Sequence, residues 1–499
     1  MGKSVIIIGA GMAGLSAGCY GQMNGYSTKI FEMHDKPGGL CTAWQRKSYT
    51  IDGCLHWLVG SAPGIGLYTL WQELGALQGQ EIINMEQFYR FEDANGKAFT
   101  LYTDIDRLEA HMKEIAPEDA KFIGECCRAM RRFTRMDMPV DKAPELYSPI
   151  EGLKLLARIF PQLGATRKWG RMTMTDFARH FKNPLLRAAW EEVWMPEFSS
   201  VFILMTIALM HQKRAGYVLG GSMKLSRAIE KRYLNLGGEI KYKSQVSKIL
   251  VEKDRAVGVK LSDGSEQRAD YVISAADGHA TIFEMLEGKY VNDKIRGYYE
   301  KMLIFQPLIY IGLGVNRTFD DMPQVISGLV IQLDKPVMIA GEERKWLSVR
   351  IHNFDPSLSP AGKTLLTVMF LSNYNYWEPL RQNLTHYKEE KEKIADTVIS
   401  LLDKRFPGFA SQVEMKDVAT PITFHRYTGN WQGSFEGWLM TPEVVNMNMS
   451  KTLPGLDCFY MAGQWVQPGG GVPSGAMTGR YAIQFLCKRD KKRFVAKVP

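Results

Sequence analysis

Three observations predict an α/β fold with a parallel sheet at its centre. The apolar run Val5-Ile6-Ile7-Ile8 leads straight into Gly9-Ala10-Gly11-Met12-Ala13-Gly14. Glu32 stands eighteen residues after Gly14, at the end of a second apolar run, Thr28-Lys29-Ile30-Phe31. Near the other end, Cys458-Phe459-Tyr460-Met461-Ala462-Gly463 again finishes in glycine, and Pro468 to Gly475 precedes a helix predicted over Ala476 to Leu486. A strand, a glycine turn and a helix together hold a dinucleotide. The glycines let the turn approach the pyrophosphate, the helix N-terminus offers free N–H groups, and the acid accepts the ribose hydroxyls. The first segment therefore predicts a Rossmann-type domain, with Gly18 keeping the helix close to its sheet.

Length and composition limit the rest. A chain of 499 residues with 45% hydrophobic and 23% charged residues is expected to fold into two domains, and it shows no internal repeat or low-complexity tract. The fingerprint begins at Ser4, leaving no room for a leader, and the longest apolar run, Phe198 to Met210, is too short for a bilayer span; a cytoplasmic protein is expected. The seven cysteines are odd in number, include the adjacent pair Cys126-Cys127 and have no metal-ligand spacing. Reduced thiols and no metal are expected.

The net charge of +9 admits nucleic acid, an acidic substrate or an anionic membrane surface as partner. Its distribution favours the last, since no nucleic-acid module is visible. Basic and apolar residues mix in Arg128 to Met138, Leu153 to Phe160, Arg167-Lys168-Trp169 and the tail Lys488 to Lys497. Leu153, Leu156 and Phe160 share one helical face flanked by Lys154 and Arg158, as an interfacial helix requires; the same pattern also suits a helix packed on the core.

Between the glycine-rich ends lies a block of short strands at 239–242, 246–252 and 256–261, read as a β-meander that feeds the buried strand 271–274. The expected assembly is a discontinuous nucleotide domain, 1–80, 215–285 and 415–499, with 80–215 and 285–415 forming an inserted α+β substrate domain and a helical, membrane-facing part.

The cofactor follows from the other blocks. Nicotinamide dinucleotides and FAD share the first fingerprint, but a flavin also needs a second glycine-rich strand–helix junction beside its ring, and Pro468 to Gly475 supplies one. Pro37-Gly38-Gly39-Leu40-Cys41, just after Glu32, brings backbone N–H groups alongside the phosphates and ribityl chain. FAD is therefore expected. A second complete G-x-G-x-x-G is missing, because Gly64-Ile65-Gly66 and Gly312-Leu313-Gly314 lack the third glycine and the helix turn. The electron donor or acceptor stays open: O2, a quinone, another protein or a nicotinamide.

With Ala275-Ala276-Asp277, Ala462-Gly463, Pro468 to Pro473 and Phe354-Asp355-Pro356-Ser357-Leu358-Ser359-Pro360 added, the chain resembles the phytoene desaturase, carotenoid isomerase and retinol saturase family from end to end. Glu32 to Cys41 and Ile51-Asp52-Gly53-Cys54-Leu55-His56 are similar to the retinol saturase branch, and Pro468 to Pro473 to bacterial carotenoid desaturases. The arginine that follows the glycine pair in many relatives is Leu40 here, as in the saturase branch. The resemblance implies FAD contacts at Gly9, Gly11, Met12, Ala13 and Gly14 for the phosphates and Glu32 for the ribose. It places Gly38, Gly39 and Leu40 along the linker, Val246 at the adenine, and Gly463, Gln464, Gly471 and Val472 at the flavin.

A flavin performs hydride chemistry itself, so the protein has to bind, orient and exclude water. The resemblance places His56 and Trp57 by the reacting face, where a histidine either shuttles a proton or shapes the pocket. Gln464 and Trp465 are candidates to hydrogen-bond and cover the ring edge. Asp277 and His279 are expected to end their strand, and His34 to be structural. An apolar substrate calls for a channel of aliphatic, Met and aromatic side chains, with candidates in Trp190 to Met210 and Tyr374 to Trp377. The function expected is desaturation, saturation or isomerisation of C=C bonds in a long apolar isoprenoid-like lipid reached at a membrane. Amine-oxidase-like attack on a C–N bond is the alternative, and a flavin-binding or lipid-carrier protein without turnover is a third.

Overall fold

The computed structural model describes residues 2–137 and 139–499; of the basic clusters read above, Met138 lies outside them. Strand β1 (Ser4–Ile8), helix α1 (Met12–Met23) and strand β2 (Ser27–Phe31) form the expected strand–turn–helix–strand. Four residues of β1 are buried, as in a parallel strand covered on both faces, which reads as one continuous hydrophobic run. Next comes the hairpin of β3 (Ala43–Arg46) and β4 (Tyr49–Asp52), joined by a two-residue turn.

Helix α2 (Pro149–Gly170) opens with a capping box: Glu151 N donates to Ser148 Oγ at 3.3 Å and Ser148 N to Glu151 Oε2 at 2.7 Å. Helix α3 (Gly221–Asn235) and helix α4 (Gly471–Arg489) complete the set that positions the site. The central sheet has five parallel strands in the order Glu239–Lys241, β2, β1, Tyr271–Ser274, Phe459–Met461.

Two expectations change here. Glu239–Lys241 does not belong to the meander but forms the edge of the parallel sheet beside β2, because a strand that follows a helix returns parallel through a crossover. The antiparallel sheet keeps Val246–Glu252 and Arg255–Leu261 and gains Glu266–Arg268. Helix α4 starts at Gly471, five residues before the expected Ala476. Proline in the first turn lacks an N–H that the helix would leave unbonded in any case, so Pro473 does not delay the start.

Helix α1 lies between α3 and α4. A Cβ on Gly18 would stand 2.7 Å from Cε2 of Tyr233 in α3 and 3.1 Å from Cδ1 of Ile30 in β2. Ser16 Oγ donates to Ala476 O at 2.6 Å, and a Cβ on Gly479 would come within 2.8 Å of Ala17 N. Gly475 meets Met12 and Gly479 meets Ala17, so α1 and α4 run side by side with their N-termini together. Buried Arg480 of α4 pairs with Glu73, which also accepts from Tyr20 of α1 at 2.6 Å.

A second sheet of seven strands runs Val413–Ala419, Leu308–Val315, Thr364–Leu371, Glu342–Ile351, Val325–Ile339, Gln87–Glu92, Ala98–Tyr102. It unites segments far apart in sequence, and its first strand straddles the expected boundary at 415. Phe198 to Met210 becomes the helix Ser200–His211, with Ile203, Leu204 and Ile207 in the core. Among the described residues, no helix is long and apolar enough to cross a membrane, no group of side chains could hold a metal, and every cysteine is a free thiol.

Candidate active site

One cavity of about 1200 Å³ runs from the β1–α1 turn to the second sheet. Gly9, Gly11, Met12 and Ala13 line its first part. Gly9 has φ +94° and donates to Phe31 O at 2.8 Å, a left-handed turn that favours glycine. Gly11 differs. Its φ of −68° and ψ of −179° suit any residue, and an added Cβ would meet nothing nearer than 4.0 Å. Protein sterics do not ask for glycine there, whereas a phosphate pressed against bare backbone does. Gly14 stands back from the cavity; a side chain on it would drive into the Gly9 carbonyl, so its part is to let the helix follow the turn and not to touch a phosphate.

The chain 38–41 crosses over this turn. Gly38 N donates to Ala10 O at 2.9 Å, and a Cβ on Gly39, at φ +61°, would lie 3.3 Å from Gly11 Cα. Leu40 lines the cavity without bringing a charge. The positive potential comes instead from the paired N-termini of α1 and α4, whose first N–H groups lack side-chain caps.

Glu32 is buried, and its carboxylate accepts from Ala10 N at 2.6 Å and His34 N at 2.8 Å. Burial raises its pKa, and the two N–H donors oppose the shift. Each oxygen keeps a free lone pair for a ribose hydroxyl. Val246 lines the same end, where Ser244 N donates to Glu32 O at 2.8 Å. His34 serves this turn, with its ring against Tyr427.

The cavity is lined further by His56, Trp57, Gly463, Gln464, Gly471 and Val472; Gly463 adjoins the first turn, since a Cβ on it would lie 3.8 Å from Ala13 Cβ. Gly469, Gly470 and Gly471 have φ of +88°, +49° and +76°, a left-handed run that turns the chain into α4. Gly463 N donates to Thr478 Oγ1 at 2.8 Å. Asn430, which sequence reasoning passed over, orients the next two residues: its Oδ1 accepts from Gln464 Nε2 at 3.1 Å and Trp465 Nε1 at 3.2 Å. Asp277 caps the turn after its strand, accepting from Ala280 N at 2.8 Å and Trp431 N at 2.9 Å, and burial pushes its carboxyl up to about 7. His279 stacks on Trp431 at 5.1 Å.

Two charged groups here escaped the sequence. Arg350 is buried over the rings of Tyr217 and Phe354, each 5.2 Å away. It donates to Leu55 O at 3.1 Å and His56 O at 3.4 Å, so it fixes the backbone that carries His56. Burial first, and then the Arg350 charge, hold the His56 imidazole well below its usual pKa; it is neutral at neutral pH. Glu436 lines the cavity beside the first turn of α4, with Oε1 3.5 Å from where a Cβ of Gly471 would stand, and burial pushes its carboxyl up to about 8. The acid flanked by glycines in Gly433-Ser434-Phe435-Glu436-Gly437 was the available signal.

Much of the remaining wall is apolar, with Trp57, Trp194, Leu308, Trp346, Phe370 and Phe435, but Glu191, Glu192, Arg344 and Ser348 line it too. Trp57 sets its edge against Phe88 at 5.3 Å and Trp194 at 5.9 Å. Of the expected channel stretches, Glu191 to Pro196 line the cavity but Trp190 and Ser200–His211 do not. Tyr374 to Trp377 stay away too, because Trp377 is buried against the second sheet and donates to Ser372 Oγ at 2.9 Å.

A nucleotide cradle under two helix N-termini, opening into an apolar chamber, is the arrangement of a flavoprotein oxidoreductase. The chain belongs to the flavin-containing amine oxidoreductase family, whose model matches residues 12–484. It is 25% identical to a prolycopene isomerase of Daucus carota over 95% of this chain and 78% of that protein. It is likewise 25% identical to a neurosporene-forming phytoene desaturase of Rhodobacter capsulatus, over 97% and 94%. The crystal structure of an oxidoreductase from Methanosarcina mazei shares the fold, with a TM-score of 0.61, 18% identity and coverage of 96% and 100%. The likeness to carotenoid desaturases and isomerases thus extends over the whole chain, and the protein is an FAD-dependent oxidoreductase. The bare cradle at Gly11 and the lone pairs of Glu32 fit that cofactor.

Proposed function

We propose that this enzyme desaturates, saturates or isomerises C=C bonds of a long apolar isoprenoid. The observation that carries the reading is the chamber wall of tryptophan, phenylalanine and leucine beyond the flavin end, which offers grip for a hydrocarbon chain. The isomerase and desaturase names of the relatives support it. FAD, when bound, supplies the hydride chemistry. Gly9, Gly11, Met12 and Ala13 hold its phosphates, Glu32 its ribose, Val246 its adenine, Gly38, Gly39 and Leu40 its linker, and Gly463, Gln464, Gly471 and Val472 its ring. His56, kept neutral, shapes the reacting face with Trp57. Glu436 keeps its proton to about pH 8 and is the acid of this end.

In this reading 1–80, 215–285 and the C-terminal stretch after Ala419 hold the cofactor. The parts 80–215 and 285–415 form the substrate side, joined by all of Val413–Ala419. The enzyme meets its lipid at a membrane surface through α2, on which Ile150, Leu153, Leu156 and Phe160 are 69%, 68%, 49% and 70% exposed. The charge contribution is smaller than the sequence implied, since Arg131, Arg158 and Lys168 are engaged by acids of the chain.

The test is mass spectrometry of lipids that co-purify with the yellow protein, followed by anaerobic mixing of each lipid with the enzyme in both redox states. An isoprenoid that changes the flavin spectrum or returns with altered double bonds is expected. Turnover of an amine with peroxide release, and no bound lipid, overturns the proposal.

A further inference from the structure

Arg344 and Arg426 are the only lysine or arginine side chains among the described residues that line the cavity. They are held differently. Arg344 Nη2 donates to Glu342 Oε2 at 2.6 Å and to Leu371 O, at the second sheet. Arg426 is exposed, with its guanidinium 5.4 Å from the centre of the Tyr427 ring, and bonds to no carboxylate or carbonyl of the described residues.

The segment that carries Arg426 spans the phosphate turn. Phe424 to Asn430 all line the cavity, where the helix Pro421–Thr428 ends and Gly429, at φ +69°, turns the chain. On one side the Tyr427 ring lies 5.1 Å from that of His34. His34 N donates to the Glu32 carboxylate, which also accepts from Ala10 N. On the other side Asn430 Oδ1 accepts from Gln464 Nε2 at 3.1 Å, and the neighbouring Gly463 adjoins Ala13. The two anchors therefore flank the β1–α1 turn, one beside Ala10 and the other beside Ala13.

FAD carries a negative charge on each phosphate of its pyrophosphate. The N-termini of α1 and α4 supply about one positive charge between them, and Leu40 supplies none, so one phosphate charge is left over. We propose that Arg426 is the counter-charge of the FAD pyrophosphate, taking the part that an arginine after the glycine pair plays in many relatives. A guanidinium fork matches phosphate oxygens, and no acid of the chain competes for this one. The proposal rests on FAD binding at the Gly9 to Ala13 turn and stands whatever the lipid substrate is.

The test titrates the full-length protein, freed of FAD, with FAD, ADP and adenosine by calorimetry; binding of FAD to the wild type checks the cofactor site by itself. Arg426→Ala is expected to weaken FAD and ADP by about tenfold to a hundredfold, to leave adenosine unchanged and to keep the melting temperature of the FAD-free protein. Arg426→Lys should fall between. The difference from the wild type should shrink in ~1 M salt, where the screening length drops to about 3 Å. Chemistry on the wild type needs no variant: phenylglyoxal is expected to modify Arg426 in the FAD-free protein, with FAD and ADP protecting it and adenosine not. Wild-type affinity for ADP in Arg426→Ala, equal losses for ADP and adenosine, or modification of Arg426 undiminished by FAD overturns the proposal.

Discussion

Asp52 and Asp355 hold the two ends of one turn. Asp355 Oδ2 accepts from Gly220 N at 2.9 Å and Asp52 Oδ2 from Ser222 N at 2.8 Å, so both carboxylates converge on the start of α3, where the N–H groups are free and the dipole is positive. Each ties in its own segment as well. Asp355 accepts from Tyr217 Oη at 2.7 Å and Ser357 N at 3.0 Å, while Asp52 fixes Cys54 and, through Ser222, Leu55. The motifs around Asp52 and Asp355, first noted as family marks, join the second sheet and the flavin-side loop to a single helix end.

Replacing Asp355 by alanine leaves the Gly220 amide, the Tyr217 hydroxyl and Ser357 without their acceptor. The expected loss is about 3 kcal/mol of unfolding free energy, from buried donors left unpaired, read as a lower denaturant midpoint of the holoenzyme. Tyr217→Phe removes one hydrogen bond and is expected to lower stability by about 1 kcal/mol.

Two glycines of the fingerprint are expected to behave differently. Gly11→Ala finds open space in the protein, so the apoprotein should keep its melting temperature while FAD affinity falls at least tenfold, about 1.4 kcal/mol. Gly14→Ala meets the Gly9 carbonyl and should lower the melting temperature of the apoprotein itself. Calorimetry of the apoproteins, with flavin fluorescence titrations, separates the cases; equal melting temperatures for both variants contradict this account.

Glu32→Ala removes the ribose acceptor and strands the Ala10 and His34 amides. Weaker FAD binding by about tenfold to a hundredfold is expected, with Glu32→Asp intermediate, since its shorter arm cannot reach both amides. Isothermal titration of the apoprotein measures it.

The Glu436 carboxyl has a folded pKa of about 8 against an ordinary 4.5. Between these values the native state holds a proton that the unfolded chain has released, so this group makes stability fall as pH rises. Glu436→Gln should therefore gain on the wild type as pH goes from 5 to 8, by roughly 3.5 kcal/mol. Urea unfolding of both apoproteins at the two pH values reads it; a constant difference rules the assignment out.

Charge on the exposed face of α2 should uncouple the enzyme from lipid surfaces without unfolding it. Leu153→Asp with Phe160→Asp is expected to keep the melting temperature within about 1 °C, since surface changes are within about 0.5 kcal/mol, and to abolish co-sedimentation with anionic phospholipid vesicles. Vesicle binding equal to the wild type would assign that face another role.

Much of this was legible in the chain. The strand–turn–helix from Ser4 to Phe31, Glu32 at its end and the glycine run before α4 rest on local rules: a continuous apolar run, left-handed turns and free amides at helix starts. Where a local rule was misapplied, the error was local too, as at Pro473, which sits inside the first turn of α4. His56 and Trp57 line the cavity, but Trp377 does not, because composition alone cannot tell a channel wall from a core.

The sequence by itself determined the nucleotide cradle, since a glycine turn and an acid act through backbone within a few dozen residues of one another. Only the tertiary structure decided what surrounds the flavin end. Arg350 beneath Leu55 and His56, Asn430 against Gln464 and Glu436 beside Gly471 are brought together by folding, the first across most of the chain. Burial then sets which of these groups keeps its proton, a property that no residue carries in the unfolded chain.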